Sequence, residues 1–178
     1  MDINTLVKLT SRAWSLNILA LLLDGVPGRQ APLLSATNAS RTAFTASLAH
    51  LVALGLIEKN PGHGHPLRPE FRLTTNGVKA AAIASKIVTA AGSEIDTGLL
   101  RKSWTVPVLA LTGKPRRFST IRSGLAVITD RALSSSLHQL EAQDWIRRDI
   151  DTTGRMAFPT YNAVNTGFEI NRAVDLML

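Results

Sequence analysis

The feature that most restricts the fold of this chain is an internal repeat spaced by about ninety residues. Three blocks of the first half return in the second half in the same order: 13–20 as 103–110, 47–57 as 136–146, and Phe71 and Gly77 as Tyr161 and Gly167. The offset is 90 in the first and third blocks and 89 in the second. Because separated blocks keep both order and spacing, we predict two copies of one small unit.

Length and charge agree with two small units that attract a polyanion. The chain has 178 residues, which accommodates two units of about 85 residues, each with a modest core. It carries 20 Lys and Arg against 13 Asp and Glu, a formal charge of +7. Such an excess attracts nucleic acid or an acidic membrane face. Cysteine is absent, which excludes disulfides, thiolate nucleophiles and cysteine-based metal sites.

No segment indicates export or membrane insertion. The chain begins Met1-Asp2 without a basic stretch followed by an apolar one. The most apolar segment, 16–23, is shorter than the roughly 20 residues that span a bilayer. We therefore expect a cytoplasmic, nucleoid-associated protein with no membrane partner.

The order of predicted elements is the same in both copies: helix, short helix, helix, β-hairpin, helix. The predicted bounds in the first copy are 14–23, 32–36, a helix beginning after residue 40, strands 56–59 and 70–74, and a helix from Thr75. In the second copy they are 104–111, 118–125, a helix beginning near Asp130, strands 145–148 and 156–161, and a helix from Asn165. This order is the plan of a winged helix-turn-helix.

The third helix of each copy has one apolar stripe. Leu133, Leu137 and Leu140 recur at helical spacing in the second copy, and Phe44, Leu48 and Leu51 do so in the first. Thr129 or Asp130, and Ser40 or Asn38, are candidate N-caps. The predicted fold class is mainly α with small β-hairpins (α+β). It comprises two tandem winged helix-turn-helix domains, at 1–91 and 101–178, joined by a linker at 92–100.

The second copy resembles the HxlR-type winged-helix regulators, which are relatives of the MarR group. The matching residues are Trp104, Val108-Leu109, Gly113, Arg117-Phe118, Ile121, Ile128 to Leu133, Leu137, Leu140-Glu141, Trp145 to Arg148 and Tyr161. Asp144-Trp145 and Ala163-Val164 stand where the family usually has Gly-Leu and Leu-Thr.

The first copy is a looser match to the same family. It keeps Trp14, Ile18-Leu19, Gly25, Leu48, Leu51, Gly55 to Ile57, Phe71, Leu73-Thr74 and Gly77, with Arg29-Gln30 in place of the Arg-Phe pair. The resemblance implies small regulators that bind double-stranded DNA, normally as homodimers of one unit. A homodimer of this chain is therefore possible, and no residue pattern indicates a small-molecule effector.

The candidate DNA-binding residues lie on the third helices and the wings. In this architecture the third helix enters the major groove. Its outward positions are Thr129, Arg131, Ser134, Ser135 and His138 in the second copy, and Ser40, Arg41, Thr42, Thr45 and Ala49 in the first. The wings add His63, His65 and Arg68 in the first copy and Thr152, Thr153 and Arg155 in the second, and Arg117 precedes the second helix. We expect Arg131 to read a base and Arg155 to contact phosphate.

Each of these residues also has a less specific interpretation. Arg131 could instead cap its helix or pair with Asp130 or Glu141, and the wing arginines could simply face solvent. His63 and His65 could share a metal ion, but no further ligand is apparent, so we expect no metal and no cofactor. No nucleophile elbow, phosphate loop or His-Glu-x-x-His spacing occurs, so we expect no enzyme.

The sequence therefore predicts a sequence-specific transcriptional regulator in which one chain imitates a dimer through two non-identical recognition helices. The leading alternative is a tandem winged-helix module for protein interaction or chromosome organisation, without sequence-specific DNA binding. A replication initiator that binds repeated origin sites is a third possibility.

Overall fold

In the computed structural model, the described residues group into two compact units. The structure describes residues 1–60, 69–92, 94–153 and 156–174, and only the backbone at 94–96. The first unit is Arg12–Thr89, and the second unit combines Met1–Ser11 with Ala90–Leu178. The first helix of the chain, α1 (Ile3–Thr10), therefore belongs to the second unit.

The first unit contains three helices, a hairpin and a long fourth helix. These are α2 (Ser15–Leu23), α3 (Gln30–Thr37), α4 (Arg41–Ala53), β1 (Ile57–Asn60), β2 (Glu70–Leu73) and α5 (Thr75–Ala91). The strands pair antiparallel, with Ile57 opposite Leu73 and Asn60 opposite Glu70. Arg29, just before α3, forms an isolated bridge with Glu70 and so lies where a third strand would pair.

The second unit contains the same order of elements after two short leading helices. Beyond α1 these are α6 (Glu94–Leu100), α7 (Thr105–Leu111), β3 (Arg116–Arg117), α8 (Phe118–Gly124), α9 (Asp130–Ala142), β4 (Ile146–Asp151), β5 (Phe158–Ala163) and α10 (Asn165–Val174). The sheet order is β3-β5-β4, all antiparallel. Mainly helical structure with small antiparallel sheets agrees with the predicted α+β class.

Three elements were not predicted from the sequence. Strand β3 has only two residues, Arg116 and Arg117, which is too short for any alternation to be visible. The predicted linker, 92–100, contains helix α6. The Gly, Ser, Asp and Thr residues of this segment are typical of a loop, so the helix was not predicted. Helix α1 packs against α7 rather than within the first unit, which differs from the predicted first domain at 1–91.

Burial explains why α1 lies in the second unit. Leu6 and Leu9 are fully buried, and the Thr10 hydroxyl donates to the Ser103 carbonyl oxygen at 2.8 Å. Asp2 caps the helix by accepting from the backbone N–H groups of Asn4 and Thr5 at 3.0 Å each. Bonds from the Thr5 hydroxyl and these N–H groups hold the pKa of the Asp2 carboxyl below its ordinary value.

Helix α2, which is mostly apolar, is buried over only part of its surface. Leu16, Ile18 and Leu19 are buried, but Leu23 is 39% exposed. Trp14 is half-buried at the start of the helix. Among the described residues, no single helix is long and apolar enough to cross a membrane, and one bent pair, α1 with α2, would qualify by length and composition alone.

Helices α4 and α9, which are the predicted recognition helices, bury the predicted stripes. Phe44, Leu48 and Leu51 are at most 2% exposed, and Leu133, Leu137 and Leu140 at most 3%. Each helix has 13 residues. The stripes hold the helices against their units and leave the opposite faces to solvent.

A left-handed residue turns the chain from each recognition helix into the following strand. Gly55 does this after α4 with φ +66°, and Asp144 does it after α9 with φ +56°. The next N–H then bonds back to the helix, from Leu56 to the Leu51 carbonyl at 3.0 Å and from Trp145 to the Leu140 carbonyl at 2.9 Å. Asp144 thus adopts a left-handed conformation for which glycine is the usual residue after a helix.

The last helix of each unit contacts this junction through a glycine. A methyl group on Gly77 would overlap the carbonyl oxygen of Leu56, and one on Gly167 would overlap that of Trp145. Only a residue without Cβ lets the helix approach the carbonyl this closely. The two glycines therefore determine where α5 and α10 pack against the backbone that precedes β1 and β4.

We expect Gly77→Ala and Gly167→Ala to destabilise the protein by about 2 kcal/mol or more each, because the added methyl group must displace backbone. Gly98→Ala is the matched control, since its Cβ would meet only the Arg101 side chain at 3.5 Å. It should be neutral or slightly stabilising within a helix. Thermal unfolding followed by circular dichroism measures all three, and equal melting temperatures would contradict the close-approach argument.

Candidate nucleic-acid interface

Both recognition helices begin with a side-chain cap. Ser40 Oγ accepts from the Ala43 N–H at 3.3 Å, and Thr129 Oγ1 accepts from the Ala132 N–H at 3.2 Å. The preceding turns each contain a left-handed residue, Asn38 with φ +54° and Ala126 with φ +41°. These caps mark where α4 and α9 begin and so determine which residues lie in the first turn of each helix.

The outward face of α9 is polar and accessible. Thr129, Arg131, Ser134, Ser135 and His138 are all exposed. Asp130 pairs with Arg122 of α8, whose Nε lies 2.8 Å from Asp130 Oδ1, and Arg122 also donates to the Ala126 carbonyl. Among the described residues, the Arg131 side chain has no ion-pair or hydrogen-bond partner, so it is not the partner of Asp130 or Glu141.

The outward face of α4 has the same character with fewer polar groups. Ser40, Arg41, Thr42, Thr45 and Ala49 are all exposed. Arg41 and Thr45 border a shallow pocket of about 300 Å³ between α3 and α4. Arg41 has no charged partner within the part of the chain that the structure describes.

Most of the predicted wing contacts fall outside the described residues. His63, His65 and Arg68 of the first wing and Arg155 of the second lie there. In the described part of the second wing, Thr152 and Thr153 are exposed, and the Thr153 hydroxyl and N–H donate to Asp151 Oδ1 at 2.6 and 2.9 Å. These bonds, with a smaller contribution from Arg117, lower the pKa of the Asp151 carboxyl. The carboxylate is therefore ionised at neutral pH, and its stabilising effect is lost as the pH falls through the lowered pKa.

Arg117 is exposed but already engaged within its own unit. Its guanidinium lies 3.2 Å from the ring centroid of Phe158, a cation–π contact across β3 and β5. It also borders a cleft of about 610 Å³ with Ser119, Thr120 and Asp151. This predicted DNA contact is thus held against the wing rather than free on the surface.

Two further arginines, which are not among the predicted DNA contacts, lie exposed on the sheet. Arg116 in β3 and Arg148 in β4 both pair with Tyr161 of the central strand, one on each side. Directly paired residues on neighbouring strands point to the same face, about 10 Å apart across two strand spacings. Both arginines are exposed, and neither has a side-chain partner among the described residues. Arg116 and Arg148 come close together because of the register of β3, a strand that could not be predicted from the sequence.

The corresponding strand positions of the first unit carry less positive charge than Arg116 and Arg148 do in the second. There Lys59 pairs with Phe71, and the Phe71 N–H donates to the Gly28 carbonyl at 2.6 Å. A side chain on Gly28 would overlap the carbonyl oxygen of Phe71, so an arginine cannot stand there without moving the strand.

Net charge is nevertheless concentrated in the first unit. Residues 12–89 contain eight of the twenty Lys and Arg but only three of the thirteen Asp and Glu. The second unit holds the other ten acidic residues, and several of its arginines are paired, as Arg147 is with Asp149 at 2.9 Å. The first unit therefore attracts a polyanion more strongly for its size.

A family comparison assigns the second unit. Residues 99–178 match the family described as HxlR-like helix-turn-helix. The second unit contains an HxlR-like helix-turn-helix domain. No curated protein matches the chain. The HxlR-like domain runs from the end of α6 to the last residue and includes α9 and the β4–β5 wing. Because the family consists of DNA-binding transcription regulators, the match supports a DNA-binding regulator and agrees with the exposed polar face of α9.

Within the described residues, no group of three or more His, Asp or Glu side chains is arranged to hold a metal ion. His50 and His138 are on different recognition helices, and the pair His63 and His65 lies outside the described residues. The exposed chemistry of the described site is therefore that of hydroxyls, guanidiniums and one imidazole on α9, which suits hydrogen bonds to bases and phosphates.

We expect Ser40→Ala and Thr129→Ala to lower stability by about 1 kcal/mol each, the usual cost of losing an N-cap. Ser134→Ala is the control, because Ser134 is exposed in the interior of α9 and caps nothing. Urea unfolding of the three variants provides the comparison. A loss for Ser134→Ala as large as that for Thr129→Ala would show that the caps have no special role.

Proposed function

We propose that the chain is a tandem winged-helix transcriptional regulator that binds double-stranded DNA sequence-specifically as an intrachain pseudo-dimer. The observation that carries this proposal is the exposed, unpaired Arg131 on the capped recognition helix of the HxlR-like domain. In this architecture the start of the recognition helix meets base edges in the major groove.

Matching local geometry supports a duplication of one unit. The same glycine–carbonyl contact occurs at Gly77 and Gly167, ninety residues apart. The same backbone bond joins Thr74 to Leu56 at 3.0 Å and Val164 to Trp145 at 2.9 Å. Contacts of this detail at corresponding positions are more readily explained by a repeated unit than by chance similarity of helix order.

Two unequal recognition helices favour an asymmetric DNA site. Thr42 and Ala49 in α4 stand where α9 has Arg131 and His138. Symmetric dimers of helix-turn-helix proteins read two equal half-sites about 34 Å apart. A chain that carries both helices should read two different half-sites, and the basic first unit adds sequence-independent affinity.

A protein-interaction or chromosome-organisation module, which is the alternative, would require a different surface on α4 and α9. A protein-binding face would need apolar anchor residues at its centre. The outward positions of α4 and α9 are instead hydroxyls, arginines, a histidine and one alanine. This composition favours DNA, and the same chemistry would serve an origin-binding initiator, which only the identity of the bound site distinguishes.

We predict that Arg131→Ala lowers discrimination between the preferred site and a site changed at one base pair, by about 1–3 kcal/mol if the contact is bidentate to guanine. Binding to unrelated DNA should change much less. Fluorescence anisotropy with matched and single-substitution duplexes measures both. Equal discrimination ratios for wild type and Arg131→Ala would remove Arg131 from the base-reading residues.

We expect Arg116→Ala and Arg148→Ala to weaken binding to all sequences alike and to reduce the slope of log affinity against log salt by about one each. Arg147→Ala is the matched control, because Arg147 lies on the same strand but on the other face and pairs with Asp149. An equal change of the salt slope in Arg147→Ala would show that Arg116 and Arg148, which flank Tyr161, contact phosphate no more than Arg147 does. Arg155→Ala should behave like Arg148→Ala if the wing reaches the backbone.

The pseudo-dimer predicts one chain for each DNA site, with an asymmetric footprint. Analytical ultracentrifugation of the complex with a selected duplex gives the stoichiometry, and hydroxyl-radical footprinting gives the symmetry. Two chains on a strictly palindromic site would contradict the pseudo-dimer while leaving DNA binding intact.

A further inference from the structure

A chain of hydrogen bonds joins the turn before α7 to the outward face of α9. Lys102 Nζ donates to Gln139 Oε1 at 2.7 Å. Gln139 Nε2 in turn donates to Ser135 Oγ at 3.1 Å. Lys102 and Ser135 are exposed, and Gln139 between them is half-buried.

Lys102 determines the direction of these bonds. An ammonium group has donors and no acceptor, so it can face only the oxygen of the Gln139 amide. The amide nitrogen, which only donates, is then directed at Ser135. Ser135 Oγ must therefore accept, and its own proton is not used in this bond.

Other serine hydroxyls in helices donate their proton to a backbone carbonyl, which Ser135 does not do within the described residues. Ser47 donates to the Ala43 carbonyl at 2.9 Å, and Ser123 donates to the Ser119 carbonyl at 2.9 Å. Such bonds to the previous turn consume the hydroxyl proton. Ser135 donates to none of the described residues, so its O–H is available to a partner outside the protein.

We propose that Ser135 is a base-reading hydrogen-bond donor and that Lys102 is the positioning residue that keeps it a donor. This inference rests on the proposed entry of α9 into the major groove. The acceptors that a donor can meet there are N7 and O6 of guanine, N7 of adenine and O4 of thymine. Cytosine presents an amino donor instead. Ser135 Oγ keeps one free lone pair that can accept from this amino group, but its O–H then has no acceptor on the base. We therefore expect Ser135 to disfavour cytosine at one position of the site rather than to exclude it.

The corresponding residues of the first unit lack this arrangement. Arg12, Ala46 and His50 stand where the second unit has Lys102, Ser135 and Gln139. Ala46 has no hydroxyl, so the selection against cytosine should occur in only one half of the DNA site.

The decisive variants alter the direction of the bonds while keeping Ser135. Lys102→Met frees the Gln139 amide to turn, and discrimination against cytosine should fall about three- to tenfold, the effect of one neutral hydrogen bond. Lys102→Arg keeps the donors and should retain discrimination. Gln139→Glu offers Ser135 only an acceptor, so the Ser135 proton turns inward and the preference should shift toward cytosine. Ser135→Ala should abolish the preference.

The measurement is the ratio of affinities for duplexes that carry each of the four bases at the affected position, using the full chain at constant salt. Thermal melting verifies that each variant is folded. Unchanged ratios in Lys102→Met, with only a shallower salt dependence, would make Lys102 a phosphate contact and overturn the inference. Wild-type protein without any base preference would overturn both this inference and the proposed function. Specific wild-type binding with no response to these variants would overturn the inference alone.

Discussion

The approach of a glycine to the carbonyl that follows each recognition helix is the contact on which the rest of each unit depends. At Gly77 and Gly167 the last helix lies against the backbone that leads from recognition helix to wing. The same junction contains a left-handed residue, Gly55 or Asp144, and a backbone bond back to the last turn of the helix. Three elements meet there, so the direction of the wing, the end of the recognition helix and the crossing of the final helix are set together. A side chain at that glycine would disturb all three.

Much of this arrangement could be predicted from the sequence, and the omissions have physical causes. The stripes of α4 and α9 and the hairpin strands follow from spacing alone, because apolar side chains at helical intervals must face a core. Strand β3 could not be predicted, because two residues show no alternation, and with it the row of Arg116 and Arg148 stayed hidden. Helix α1 had readable signals, Asp2 as a cap and Leu6 with Leu9, but nothing local reveals that it packs against α7.

In the proposed pseudo-dimer, the two units contribute unequally to DNA binding. The first unit carries the greater excess of positive charge, which in the proposed complex would supply affinity without sequence information. The second unit pairs several of its arginines internally, as Arg122 with Asp130 and Arg117 with Phe158, and leaves Arg131 and the Ser135 hydroxyl outward. Because Asp130 is paired with Arg122, it does not neutralise Arg131, the proposed base-reading residue of the same helix. Discrimination would then come mainly from α9 and general attraction mainly from the first unit.

The measurement that tests this account most directly is selection of duplexes from a random pool by the full chain, followed by affinity measurement at two salt concentrations. A pseudo-dimer that binds DNA sequence-specifically predicts an enriched, asymmetric site whose affinity falls steeply with salt, since several phosphates are neutralised. Salt-sensitive binding without enrichment would contradict the sequence-specific part of the claim. Absence of DNA binding at low salt would contradict the whole account and favour a protein partner for the same surface.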